Sequence, residues 1–131
     1  MKIHFLELDD VFLIHAEGLA DFGGADGIRD MAALESAVSM PQAGFGEDYL
    51  HKDIYEMASA YLYHLCQGHA FVDGNKRVAL GAAHVFLNLN DLDLTFTPKE
   101  AFDLVMKVAS GKLDKDGVVR SLKKHTKKLG I

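Results

Sequence analysis

The sequence is poor in residues that cross-link a chain or anchor it in a membrane. It has a single cysteine, Cys66, among 131 residues, which excludes an internal disulfide and any zinc site built from several cysteines. Its apolar runs are only a few residues long, so we expect no transmembrane helix and no membrane partner. The N-terminus, MKIHFLELDD, turns acidic where a secretion signal would be apolar. We therefore expect a cytoplasmic protein.

Basic residues are scarce outside the C-terminus. The net charge is −5, yet five of the fourteen cations fall in the last twelve residues: Arg120, Lys123, Lys124, Lys127 and Lys128. Residues 1–119 are left with nine cations against nineteen acidic residues. Because such a surface repels a phosphate backbone, we expect no direct nucleic-acid binding. The basic C-terminus is interpreted as a solvated helix end, where the helix dipole favours lysine, and contact with an acidic partner or RNA is the alternative.

The composition is otherwise that of a soluble globular protein, with 49% hydrophobic and 25% charged residues. The length predicts a single domain over residues 1–131. A domain of this size hides roughly two-thirds of the surface of its unfolded chain, so it can form a core without disulfides.

Helical periodicity dominates the chain. Apolar residues recur at helical spacing, and capping residues and the two prolines, Pro41 and Pro98, mark boundaries. The pattern predicts helices over residues 8–21, 31–40, 54–67, 76–88, 98–110 and 116–128. Residues 41–50 read as a loop, and residues 92–96 as a short extended piece. We therefore predict an all-α fold, a compact helical bundle with at most a small β-hairpin.

One segment, HAFVDGNKR at residues 69–77, departs from the rules for helix ends. It places Lys76 and Arg77 in the first turn of a helix, where the dipole disfavours cations by a few tenths to about 1 kcal/mol each. A bound anion would offset that cost, because free N–H groups and two cations form a phosphate site. Gly74 allows phosphate to approach the backbone, and the Asn75 amide can donate to an oxyanion.

Two further side chains in the segment suggest catalysis. Asp73 is suited to hold Mg²⁺ together with phosphate oxygens, and the His69 imidazole can take a proton from an attacking hydroxyl. Together these groups would form a phosphoryl-transfer site. The alternative is that Asp73 caps the helix, His69 packs in the loop and the two cations are surface residues, and spacing alone leaves both interpretations open. Phe71 is a core residue in either case.

The segment resembles the Fic motif, HxFx(D/E)GNxR, and resembles more closely the version in the Doc (death-on-curing) branch of that family, which carries NKR. Similarity extends to residues 27–41, 86–90 and 109–111, so the resemblance is spread over most of the chain. With every motif position filled in register, the match is specific.

The resemblance implies an all-α Fic fold and ATP-dependent modification of a hydroxyl group on a target protein. It implies that His69 is the general base and that Asp73 holds Mg²⁺. The phosphates would then be bound by Gly74, Asn75, Lys76 and Arg77. It also implies a toxin of a toxin–antitoxin pair that phosphorylates elongation factor Tu and so arrests translation.

Two departures from the Fic motif bear on the chemistry. Fic AMP-transferases usually have glycine at the position of Lys76 and a second arginine at the position of Leu80. Doc-type proteins share both departures, which favours transfer of the γ-phosphate. Gly74, however, matches the AMP-transferase motif, whereas some Doc proteins carry alanine there, so AMP transfer is the alternative. A non-catalytic Fic-like module and a Mg²⁺-dependent phosphohydrolase or nuclease are weaker alternatives, because the segment keeps both His69 and Asp73 and the chain offers only one obvious metal carboxylate.

The chain lacks the inhibitory pattern (S/T)xxxE(G/N) by which many Fic proteins block their own phosphate pocket. We therefore expect inhibition in trans by a cognate antitoxin. The loop at residues 41–50, with Phe45 and Tyr49, is either a flap that docks the target protein or an ordinary surface loop.

Overall fold

The computed structural model describes residues 2–130 and confirms the all-α fold class. The six helices are α1 (Leu8–Phe22), α2 (Met31–Ser39), α3 (Ile54–Gly68), α4 (Asn75–Leu89), α5 (Pro98–Ala109) and α6 (Lys115–Lys124). Four short strands form two antiparallel pairs: β1 (Gly44–Phe45) with β2 (Asp48–Tyr49), and β3 (Leu92–Leu94) with β4 (Thr126–Lys128). No helix in residues 2–130 combines the length and hydropathy needed to cross a membrane.

Side-chain caps fix several of the helix starts. The Asp30 side chain accepts from the Ala33 N–H at the start of α2, and Asp53 and Asp114 cap α3 and α6 in the same way. Before α5, Thr97 and Glu100 form a capping box. The predicted helix over 31–40 is one residue too long, because α2 ends at Ser39 and a 3₁₀ turn over Met40–Gln42 contains Pro41.

The core lies mainly between α3 and α4, which pack more extensively against each other than any other pair of elements. Small residues bring the neighbouring helices close: a Cβ on Gly81 of α4 would lie 2.7 Å from the Cγ2 atom of Ile14 in α1. One face of α4 is not enclosed by the core. Leu80, His84 and Val85 line an open groove on that face, and Leu80 and Val85 also pack against the edge of the core.

The C-terminal prediction is also wrong. The helix expected over 116–128 ends at Lys124, and the chain continues as β4, whose Thr126 pairs with Leu94 and whose Lys128 pairs with Leu92. Pairing gives β3 a partner strand for its backbone groups. Only Lys123 and Lys124 therefore lie at a helix end, whereas Lys127 and Lys128 belong to a strand.

The predicted loop at 41–50 contains the small hairpin of β1 and β2. Phe45 pairs with Asp48, so the turn is formed by Gly46 and Glu47, and Gly46 takes a φ of 64° that favours glycine. The Phe45 side chain is 92% exposed.

Candidate active site

His69 lies where α3 ends. Its backbone takes a left-handed conformation with a φ of 47°, which is uncommon for a residue other than glycine, and this turns the chain out of the helix. The His69 side chain is exposed at the start of the loop that leads to α4. An exposed imidazole in this place is free to receive a proton from a hydroxyl group of another molecule.

The loop between α3 and α4 is held from inside by Phe71 and Asn75. Phe71 is 1% exposed, so its ring anchors the loop in the core. The Asn75 side chain accepts from the Phe71 N–H at 3.0 Å and donates to the Phe71 carbonyl at 2.9 Å. The sequence assigned the Asn75 amide to an oxyanion, but its oxygen and one of its two N–H groups are engaged by the loop itself. Asn75 can also offer an anion its backbone N–H, at the first position of α4.

Asp73 is exposed and held as an anion. The Ala25 N–H donates to Oδ2 at 3.3 Å and the Gly74 N–H to Oδ1 at 2.8 Å. These two backbone hydrogen bonds, followed by the charges of Arg77 and Lys76, hold the pKa of Asp73 below its usual value.

A single ionised carboxylate beside a phosphate site fits Mg²⁺, which commonly takes one or two carboxylates and completes its shell with phosphate oxygens and water. No cluster of three or more metal-ligating side chains occurs in the described part of the chain. If Mg²⁺ binds beside the motif, the Asp73 carboxylate is the group that could hold it.

Gly74 forms the N-cap of α4, with a φ of 81° and no side-chain cap. The alternative that Asp73 caps this helix therefore does not hold, since its carboxylate accepts from Gly74 and Ala25 and not from the first turn of α4. The first N–H groups of α4 lack a side-chain acceptor and can bind an anion.

The two cations of the motif differ in their surroundings. Lys76 is exposed at the first turn of α4. Arg77 is half-buried. It donates from Nη1 to the Gly18 carbonyl at 3.0 Å and from Nη2 to the Gly23 carbonyl at 2.9 Å. Its guanidinium carbon lies 5.3 Å from the centre of the Phe22 ring. Arg77 therefore connects the end of α1 to the start of α4 through these hydrogen bonds. Its remaining N–H groups can donate to a phosphate.

The sequence did not predict that the connection between α1 and α2 forms one wall of the site. The backbone of this connection forms hydrogen bonds with the motif loop on both sides of Phe71. The Val72 N–H donates to the Gly27 carbonyl at 3.0 Å, and the Arg29 N–H donates to the Ala70 carbonyl at 2.7 Å. A Cβ on Gly24 would lie 2.7 Å from Asp73 Oδ2, so only glycine allows this approach. The run of glycines at 23, 24 and 27 was the available signal.

His15 of α1 is the second feature that sequence reasoning missed. The centre of its imidazole lies 3.9 Å from the centre of the Phe71 ring, stacked at 12°, and its Nε2 lies 2.9 Å from the Asp73 carbonyl oxygen. The side chain is 5% exposed. A histidine among apolar positions was the only local signal, and the contact joins residues 58 positions apart.

A groove of about 810 Å³ opens beside the motif, between α1, α4 and α5. Lys76 and Arg77 lie on its wall, which continues over apolar residues such as Leu80 and Phe102. The cations of the motif are thus accessible from a large, mostly apolar depression.

Comparison with known proteins agrees with this geometry. The model of the Fic/DOC family matches residues 5–87, which include the whole motif. The chain is 37% identical over 121 residues to a protein named Toxin Doc from Mycolicibacterium smegmatis, covering 90% of each chain. It is 28% identical over 116 residues to the Protein kinase doc of Escherichia phage P1, covering 88% of this chain and 90% of that protein. The chain therefore belongs to the Fic/DOC family.

Proposed function

We propose that this protein transfers the γ-phosphate of Mg·ATP to a hydroxyl group of a target protein. The observation that carries the proposal is the arrangement of the motif loop. An exposed imidazole, His69, begins the loop, an ionised carboxylate, Asp73, lies near its end, and the uncapped N-terminus of α4 follows directly. A base, a metal ligand and an anion site are what phosphoryl transfer requires.

The step assigns one role to each group. His69 removes the proton of the target hydroxyl as its oxygen bonds to the γ-phosphorus, and the bond from phosphorus to the β–γ bridging oxygen breaks to release ADP. Asp73 holds Mg²⁺, which neutralises phosphate charge when it is bound. The N–H of Asn75, with Lys76 and Arg77, binds the phosphates, and Gly74 leaves them room to approach the backbone.

Phosphate transfer is favoured over AMP transfer by two residues. Lys76 adds charge and bulk where AMP-transferases of the family have glycine. Leu80 stands where those enzymes have a second arginine, which would bind phosphate in a bidentate manner. The name of the phage P1 relative, Protein kinase doc, supports the same choice. AMP transfer is the second candidate, because Gly74 matches the AMP-transferase motif.

The biological role that we propose is that of a toxin, as the name of the mycobacterial relative suggests. We infer that the target is elongation factor Tu, modified in the cytoplasm, and that an antitoxin inhibits the chain in trans because its sequence lacks the inhibitory pattern. The β1–β2 hairpin, which presents the exposed Phe45, is proposed as the surface that contacts the target.

The test uses ATP labelled at either the γ- or the α-phosphate. Purified protein and Mg²⁺ are incubated with purified elongation factor Tu, and separately with a cell lysate, beside the His69→Ala variant. We expect γ-label on elongation factor Tu with the wild type only. Label from the α-phosphate would establish AMP transfer instead, and γ-label on a different lysate protein would replace the proposed target. Transfer that survives in His69→Ala would contradict the role of the base.

A further inference from the structure

His15 is a buried polar residue on a helix that contributes no residue to the motif. With Val11 it is one of the two buried residues of α1, and its side chain is 5% exposed. Buried polar groups are normally hydrogen-bonded, so a partner is expected. The partner here is the Asp73 carbonyl of the motif loop, 2.9 Å from Nε2.

The direction of this hydrogen bond follows from chemistry. A carbonyl oxygen can only accept, so Nε2 of His15 must carry the proton and donate it. The same imidazole stacks on the Phe71 ring, and its Cδ2 and Nε2 atoms lie 3.7 Å from the position of a Cβ on Gly74. His15 therefore touches the motif loop at Phe71, Asp73 and Gly74.

The bonded carbonyl belongs to the peptide unit that joins Asp73 to Gly74. A peptide unit is planar and normally trans, so its C=O and N–H point in opposite directions and move together. The N–H of this unit is the Gly74 N–H, which donates to Asp73 Oδ1 at 2.8 Å. A donor that fixes the carbonyl consequently fixes the N–H and, through it, the carboxylate.

We propose that His15 is a positioning residue for the active site. Its Nε2–H holds the Asp73–Gly74 peptide so that the Asp73 carboxylate is oriented for Mg²⁺ and the Gly74 N–H is kept in place. His15 contacts neither the phosphates nor the target, and the inference rests on the proposed function because it assigns His15 a purpose in that reaction. A purely structural role would require only that the histidine fill space against Phe71.

Two substitutions separate these roles. His15→Phe keeps an aromatic ring against Phe71 but removes the donor, whereas His15→Gln places an amide N–H close to the position of Nε2. His51→Phe is the matched control, since His51 is equally buried and lies outside the motif. Should His15→Phe fail to fold, His15→Asn, whose amide is too short to reach the carbonyl, replaces it.

We expect His15→Phe to lower the rate of transfer, or the affinity for Mg²⁺, by about ten- to a hundredfold, as is typical when the support of a metal ligand is removed. Its melting temperature should remain within about 5 °C of the wild type. His15→Gln should recover most of the loss, and His51→Phe should transfer at the wild-type rate. An unchanged rate and Mg²⁺ dependence in His15→Phe would overturn the proposal, as would equal losses in the Phe and Gln variants.

A second readout does not depend on transfer. Hydrogen exchange of the Gly74 amide, followed by NMR in the absence of nucleotide, should be faster in His15→Phe and return towards wild type in His15→Gln. If the wild type transfers no label, the proposed function fails, while faster exchange with rescue by Gln would still support the positioning role. Exchange that is unchanged in His15→Phe would overturn it.

Discussion

At the scale of single residues, Asn75 combines a folding role of its side chain with a proposed role of its backbone N–H in binding phosphate. Its amide satisfies both the N–H and the carbonyl of Phe71, while its backbone N–H lies at the open end of α4. Each of the two hydrogen bonds contributes about 1 kcal/mol, and an unsatisfied buried group costs about 1–3 kcal/mol. Substitution at Asn75 should therefore affect both stability and phosphate binding, and the two effects can be separated.

We predict that Asn75→Ala lowers the free energy of unfolding by about 2–3 kcal/mol, measured by urea denaturation. Asn75→Asp should lose less, about 1 kcal/mol, because its carboxylate still accepts from Phe71 and is favoured at a helix N-terminus. The same carboxylate repels phosphates, so Asn75→Asp should be folded yet transfer at least tenfold more slowly. Wild-type transfer by Asn75→Asp would argue against an anion site at the start of α4.

The residues of the motif could be singled out from the sequence because they are contiguous and their chemistry is distinctive. His15 was not, since its role depends on a contact between α1 and a loop 58 positions away. Likewise, Gly24 and Ala25 lie beside Asp73 only because α1 ends next to the start of α4, where Arg77 binds the Gly18 and Gly23 carbonyls.

At the scale of elements, the contact between α3 and α6 contains a half-buried pair of titratable groups, His64 and Lys115. Lys115 Nζ lies 2.9 Å from His64 Nε2, and because a lysine ammonium can only donate, His64 accepts and is neutral at that nitrogen. Burial, the Lys115 charge and the neighbouring His51 lower the pKa of His64 to about 4. Glu56 and Asp116 are the acidic groups that act on Lys115.

This contact predicts a loss of stability on mild acidification. The unfolded chain takes up a proton on His64 near pH 6.5, whereas the folded chain does so only near pH 4. The free energy of unfolding is therefore unaffected by this group above pH 6.5 and decreases as the pH is lowered from 6.5 to 4. Allowing for the partial exposure of His64, we expect the free energy of unfolding to drop by about 1–2 kcal/mol from pH 7 to pH 5. The lowered pKa of His51 adds a change of the same sign.

Denaturation of His64→Gln at the same two pH values provides the control. Glutamine can accept from Lys115 but does not titrate, so most of the drop should disappear. A drop of unchanged size in His64→Gln would assign the pH dependence to other groups.

Element boundaries were predictable where a local signal defines them. The starts of α2, α3 and α5 agree with prediction because Asp30, Asp53 and the Thr97–Glu100 box act within one turn. The strand at Thr126–Lys128 was mistaken for helix because its structure comes from pairing with β3, more than thirty residues earlier in the chain. Local periodicity contains no information about such a partner.

At the scale of the whole molecule, a protein with a net charge of −5 is proposed to bind a polyanion. The site must overcome this charge locally, through the N–H groups of α4, the cations Lys76 and Arg77, and Mg²⁺ at Asp73. Nucleotide binding should therefore depend strongly on the metal, and this dependence should vanish when the charge of Asp73 is removed.

We predict that ATP raises the melting temperature of His69→Ala, a background chosen to prevent turnover, only when Mg²⁺ is present. At ten times its dissociation constant, Mg·ATP should stabilise the fold by about 1.4 kcal/mol, or about 4–6 °C. Adding Asp73→Asn should abolish the difference between ATP and Mg·ATP. Asp26→Asn serves as the control, because Asp26 lies in the same connection between α1 and α2 but its described side-chain hydrogen bond is to the neighbouring Gly27 N–H. This variant should keep the full Mg²⁺-dependent rise in melting temperature. A Mg²⁺-dependent shift that survives Asp73→Asn would mean that other groups hold the metal. The orientation of the triphosphate proposed for His69 and Lys76 would then be wrong as well.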